Sequence, residues 1–264
     1  MGGFFSLPEY ASTLTLLLSS LVVLLAGVVR GLTGFGFSVL CVSSLSVFMP
    51  PSQVVPALFV LEIAASISLL KTSWPDVHWS WLRVLAWGNL LFIPLGVLTQ
   101  QNLSDNALRL LIAGVIGVIA LAQLGGLRPQ GPPGKALQWG TGMVSGWLNG
   151  LAAIGGIAVA MVFNQTRLAP AVMRASLVVF FLFTDLFALL CLALMSHLAI
   201  VPASLHDISG PTAFWSVAWL PAMLLGIWLG HRQSAGISPE RFRRGVQILL
   251  VLIAVLMGLR VVAA

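Results

Sequence analysis

Residues 27–57 read GVVRGLTGFGFSVLCVSSLSVFMPPSQVVPA, and residues 142–171 read GMVSGWLNGLAAIGGIAVAMVFNQTRLAPA. In each, a GxxxG pair (Gly27/Gly31 or Gly142/Gly146) leads to a further glycine three or four residues on. A small-residue stretch, a short polar turn and a proline follow, and Pro56 or Pro170 then opens a long apolar run. The order after the proline repeats as well, as one long helix and two more. Self-similarity on this scale predicts two related halves, residues 1–127 and 135–264, joined by a linker at 128–134 within GGLRPQGPPG.

Outward from these stretches the chain is apolar. Of its 264 residues 59% are hydrophobic and 8% charged, and the mean hydropathy is +1.03. A soluble domain carries about a quarter charged residues, so seven acids and thirteen bases leave most of this surface to lipid. A span needs about 20 apolar residues. Full-length candidates are residues 11–29, 54–70, 81–98, 107–124, 170–199, 214–229 and 242–262. Residues 34–49 are too short for a straight span, and 139–163 are punctured by six glycines. Trp74, Trp79, Trp81, Trp139, Trp147, Trp215 and Trp219 fall near predicted span ends, where indoles anchor at the interface.

Loop charges set the orientation. Lys71, Arg83, Arg128, Lys135, Arg167, Arg232, Arg241, Arg243 and Arg244 mark cytoplasmic connections. Residues 99–106 and 201–212 hold no Lys or Arg and belong outside. Arg109, just beyond the first of these, and Arg260 run against the rule. Keeping the basic loops on one side requires the chain to reverse near residues 30–34 and again around Gly150. The predicted fold is therefore an all-α polytopic membrane protein of two inverted repeats, each a discontinuous helix pair plus three transmembrane helices. Both chain ends fall outside the cytoplasm. The first ten residues lack the basic region of a signal peptide, so the first apolar run is expected to be retained.

Fifteen helical residues rise about 22 Å, short of a core of roughly 30 Å. Segments 34–49 and 150–163 are thus expected to end within the membrane, where bare amides are tolerated only against protein or a watery cavity. A helix amino end facing such a cavity attracts anions. Thr33, Gly34 and Gly36, with Asn149, Gly150, Gly155 and Gly156, are the candidate substrate-binding backbone, and inverted halves bring them toward one region. The GxxxG pairs fit helix packing better. Arg30 precedes the first break and reads either as a snorkelling anchor or as an anion-holding base. Arg174, one turn into a long helix, has the same two readings. Glu62 and Asp185 lie mid-span, where an acid is paired or functional, and they are the candidates for proton coupling, Glu62 first. Asn89 with Pro94, and Pro221, mark kinks.

Other classes are excluded. GLTGFG lacks the strand–helix setting and the Lys-Ser/Thr of a phosphate loop, and HExxH, GxSxG and paired-aspartate constellations are absent from the sequence. No enzyme, metal site or cofactor is predicted. Cys41 and Cys191 read as small buried thiols. The net charge of +6 reflects cytoplasmic loops, and no nucleic-acid partner is expected. The partners are a small anion, the bilayer and protons as coupling ion, and a homo-oligomer is compatible with the sequence.

GLTGFGFSVL at 31–40, the stretch at 50–62, GMVSGWLNGLAAIGG at 142–156 and PAVMRAS at 170–176 resemble the sulfite exporter TauE/SafE family over nearly the whole chain. The resemblance implies a multi-pass protein of the bacterial inner membrane that exports small anions, notably sulfite or organosulfonates such as sulfoacetate. Its glycine-rich elements fall at Gly31, Gly34 and Gly36, and at Gly146, Gly150, Gly155 and Gly156. The first is leaner than in many members, with Phe35 and Phe37 interposed, which would narrow the site. The alternatives are an anion channel, an uptake carrier for a small organic acid, or a non-transporting membrane scaffold.

Overall fold

A computed structural model describes residues 12–124, 134–163, 168–198 and 210–233, with Val255. These residues form α1 (Thr13–Thr33), α2 (Phe37–Leu45), α3 (Pro51–Ser73), α4 (Trp79–Gln101), α5 (Asp105–Leu124), α6 (Lys135–Ala152), α7 (Gly156–Phe163), α8 (Pro170–His197) and α9 (Pro211–Gln233), with a 3-10 turn at Trp74–Asp76. Five helices, α1, α3, α4, α8 and α9, are long and apolar enough to cross a membrane. The protein is an all-α polytopic membrane protein. Leu14, Leu17, Leu21 and Leu25 stand exposed along α1, while Ser19 and Arg30 of the same helix are buried. That polarity suits lipid as the surrounding solvent.

Helices α1, α3, α4, α5 and α9 are longer than their apolar runs because caps and prolines, not hydropathy, set their ends. α3 opens at Pro51 behind Pro50, so Pro56 lies inside the helix rather than at its start. A proline in the first turn has no amide to lose there. α1 continues to Thr33, which places Arg30 within the helix and the break at 34–36. The second break also lies later than expected, at 153–155, with Asn149 and Gly150 in the last turn of α6. Trp215 and Trp219 are not interfacial. They stack with ring centroids 4.9 Å apart in the core, and the Trp219 indole N–H donates to Ser19 Oγ at 2.9 Å. The span expected at 242–262 lies outside the described residues.

Glycine stripes join helices distant in sequence. A Cβ on Gly27 or Gly31 would strike the α9 backbone at Met223 and Gly226, or at Ile227 and His231. One on Gly146 or Gly150 would strike α4 at Asn89, or at Ile93 and Val97. Gly27 meets Gly226 and Gly31 meets Gly230, so α1 and α9 run parallel. Gly142 meets Gly88 and Gly150 meets Gly96, so α4 and α6 also run parallel. Between these pairs α3 packs on α8. His78, just past α3, donates its N–H to Ser176 Oγ near the start of α8 at 2.9 Å, so these two helices are antiparallel.

The two helix breaks are built alike. At a spacing of 119 residues Gly27 and Gly31 fall on Gly146 and Gly150. With that spacing of 119 residues, Gly34 falls on Ala153, Phe37 on Gly156 and Pro51 on Pro170. Gly34 and Ala153 are both left-handed carboxyl caps, Phe37 and Gly156 both open a short helix, and Pro51 and Pro170 both open a long one. Glycines every fourth residue at 142, 146 and 150 make alignments one turn apart look alike, because positions four apart share a helix face.

Candidate functional site at the helix breaks

The first break is built from local chemistry. Gly34 (φ 80°) ends α1 by donating its N–H to Arg30 O at 2.7 Å, and Gly36 (φ 89°) turns the chain into α2. Thr33 Oγ1 lies 2.8 Å from both Val29 O and Phe35 O and accepts the Phe35 N–H at 3.2 Å. Thr33 is thus spent on the break itself. α2 then runs back along α3, since Ser38 adjoins Glu62 and the end of α2 leads through residues 46–50 to Pro51. Its nine residues rise about 13 Å, under half of a bilayer core. Arg109 of α5 closes the far end, donating from Nε to Ser46 O at 2.8 Å and from Nη2 to Met49 O at 3.1 Å. This gives a base outside the basic loops a structural task.

Arg30 is no snorkelling anchor. It is 0% exposed and faces Glu62, which is 4% exposed. Arg30 Nη1 lies 2.7 Å from Glu62 Oε2 in an ion pair that lacks linear hydrogen-bond geometry. Nη2 donates to Ser66 Oγ at 2.9 Å, and the guanidinium carbon stands 4.8 Å from the Phe181 ring centroid. The other Glu62 oxygen, Oε1, accepts from Ser38 Oγ at 2.7 Å and from the Ser38 N–H at 3.2 Å. A carboxylate therefore sits at the amino end of α2, where dipole and free amides favour negative charge.

The second break uses different groups. Asn149, 119 residues after Arg30, donates from Nδ2 to Asp185 Oδ1 at 2.9 Å. At the same spacing Asp185 falls on Ser66 and Phe181 on Glu62. A Cβ on Gly156 would strike the Phe181 ring, so an aromatic face covers the start of α7 where a carboxylate covers the start of α2. Asp185 Oδ2 is buried without a hydrogen bond among the described residues, and Asp185 lies within electrostatic reach of Glu62 and Arg30.

The candidate residues thus converge in part. Arg30 and Gly156 both meet Phe181, Arg30 pairs with Glu62, and Asn149 with Asp185, whereas Gly34 and Gly36 shape the break beside Arg174 and Val29. Gly150 lies on the α4 side of α6, and Gly155 packs on the Ser145 carbonyl and the Asn149 side chain. Arg174 is half-buried, with its aliphatic stem against Gly34. Sequence reasoning missed Ser38, Ser66 and Phe181. Ser66, one turn beyond Glu62 in an apolar helix, was the available signal. Among the described residues there is no metal-ligand cluster.

A buried charged cluster between two broken helices inside a polytopic bundle is the build of a membrane transporter. The profile of the sulfite exporter TauE/SafE family matches residues 19–257, and the chain belongs to that family, whose members are transporters and not enzymes. Comparison with curated proteins and with solved structures finds no match.

Proposed function

We propose that this protein is a secondary transporter that exports a small anion, sulfite or an organosulfonate such as sulfoacetate, across the bacterial inner membrane. The single observation that carries this reading is Arg30, buried beside the amino end of α2 with an acid as its partner. Guanidinium and helix-end amides are the donors that sulfonates and carboxylates accept. Arg174, against Gly34, is the second base for the approaching anion.

The chain is proposed to be two inverted repeats, 1–127 and 135–264, joined at 128–134. The exchangeable pairings α1 with α9 and α4 with α6, and the self-paired α3 and α8, support it. Access then alternates around the α3–α8 centre while the glycine-zipped pairs move as units. Export of an anion from a negative cytoplasm is favoured by about 2.3 kcal/mol per charge per 100 mV. Asp185, whose partner is neutral, is a better proton carrier than Glu62, whose partner is a base.

Proteoliposomes loaded with labelled sulfite or sulfoacetate test the proposal across an anion panel under imposed pH and sodium gradients. Saturable flux that R30Q abolishes is expected. Absence of flux for every anion favours the scaffold, and non-saturating conductance favours the channel.

A further inference from the structure

We propose that the Glu62 carboxylate is the resident occupant of an anion seat formed by Arg30, Ser66 and the amino end of α2, a tethered stand-in that the transported anion displaces. The inference rests on the transport reading above and adds a mechanism to it.

The seat is complete in chemistry. It offers a guanidinium, the Ser38 amide and hydroxyl at the first turn of a buried helix, and Ser66 Oγ beside the guanidinium. The two oxygens of Glu62 divide these donors as a bound carboxylate or sulfonate would. Arg30 also has spare capacity, since its Nε is buried with no hydrogen-bond acceptor among the described residues.

The second half supplies an internal control. At the place of Glu62 it carries Phe181, and α7 begins beneath that ring. A broken pair of this shape therefore closes without a carboxylate. Glu62 is present because Arg30 is, and Arg30 at 0% exposure requires a counter-anion at all times.

A transporter that must return empty faces this requirement on every cycle. With Glu62 in the seat, the unloaded protein keeps Arg30 neutralised and can change conformation without substrate. An entering anion takes over the guanidinium and the α2 amides and sends the Glu62 carboxylate to the water of the opened cavity.

The test uses formate as probe on the purified full-length chain in detergent. Glu62→Ala empties the seat, and it is expected to bind formate at least tenfold tighter than wild type and to gain thermal stability in formate over gluconate. The double variant R30M/E62A is expected to show neither effect. Equal formate affinity in E62A and wild type overturns the proposal, as does a formate response in R30M/E62A. Recovery of folded E62A only when formate is supplied during purification supports it. If E62A is unfolded in both media, Glu62→Asp decides, because the shortened side chain retracts the carboxylate: tighter formate binding than wild type supports the stand-in, and wild-type affinity overturns it. Loss of flux with formate binding intact would sink the transport reading alone, whereas flux without a formate response sinks only the stand-in.

Discussion

Gly34 and Ala153 close α1 and α6 in the same left-handed conformation, φ 80° and 57°, with their N–H groups bonded to Arg30 O and Asn149 O. The conformation suits glycine, and alanine pays roughly 1–2 kcal/mol for it. Ala153→Gly is therefore expected to stabilise the protein by up to about 1 kcal/mol once the backbone entropy of glycine is subtracted, read as a higher melting temperature. Gly34→Ala is expected to cost about 1–3 kcal/mol, because its Cβ also meets the Arg174 stem. Tryptophan fluorescence melts in detergent check both.

Replacing Gly31 or Gly150 by leucine should leave little folded protein, since each opposes a backbone with no side chain to yield. Gly114→Ala and Gly140→Ala meet nothing within 4 Å and should gain a few tenths to about 1 kcal/mol from helix propensity. Monodispersity on size exclusion separates the two classes.

Removing one member of a buried ion pair costs about 3–5 kcal/mol. Arg30→Gln and Glu62→Gln are each expected to destabilise by that order, and the double variant by clearly less than their sum. Unfolding titrations in mixed micelles measure the cycle, and additive losses would mean that the pair is not coupled.

Asp185→Asn keeps an oxygen to accept the Asn149 amide, so it should fold like wild type. If Asp185 carries the coupling proton, flux in this variant becomes independent of an imposed pH gradient while anion exchange persists. Wild-type pH dependence of flux would remove Asp185 from that role.

Sidedness is tested with single cysteines after the buried Cys41 and Cys191 are replaced. An impermeant thiol reagent should label Ser104→Cys from outside and Gly134→Cys only after the membrane is opened. Labelling at 134 from outside would refute the inverted arrangement.

Much of this architecture could be read from the sequence. Apolar runs located the five long helices, and glycines located both breaks to within a turn, because hydropathy and backbone freedom are local properties. The pairing of the two glycine-rich stretches is ambiguous by one turn in the sequence, because Gly142, Gly146 and Gly150 present the same face. Pro51 and Pro56, five residues apart, offered two helix starts, and α3 takes the earlier one behind Pro50. Arg30 could be recognised as either anchor or ligand. Its burial depends on Glu62, 32 residues later, and on Phe181 from the other half, neither of which a single segment reveals. Trp215 and Trp219 misled for the same reason, since their partner Ser19 lies 200 residues away for Trp219.

That last separation bears on how the chain is made. Helix α1 enters the bilayer with Ser19 and its glycine stripe facing lipid, and its partner α9 is synthesised some 200 residues later, a delay of about 10–40 s at 5–20 residues per second. The Arg30–Glu62 pair needs only α3 and can form early. It serves as a temporary clasp, holding a helix with an otherwise uncompensated charge in the membrane until the last partner arrives, so a ribosome stalled before residue 211 would leave a protein already locked at its centre but open along its first seam.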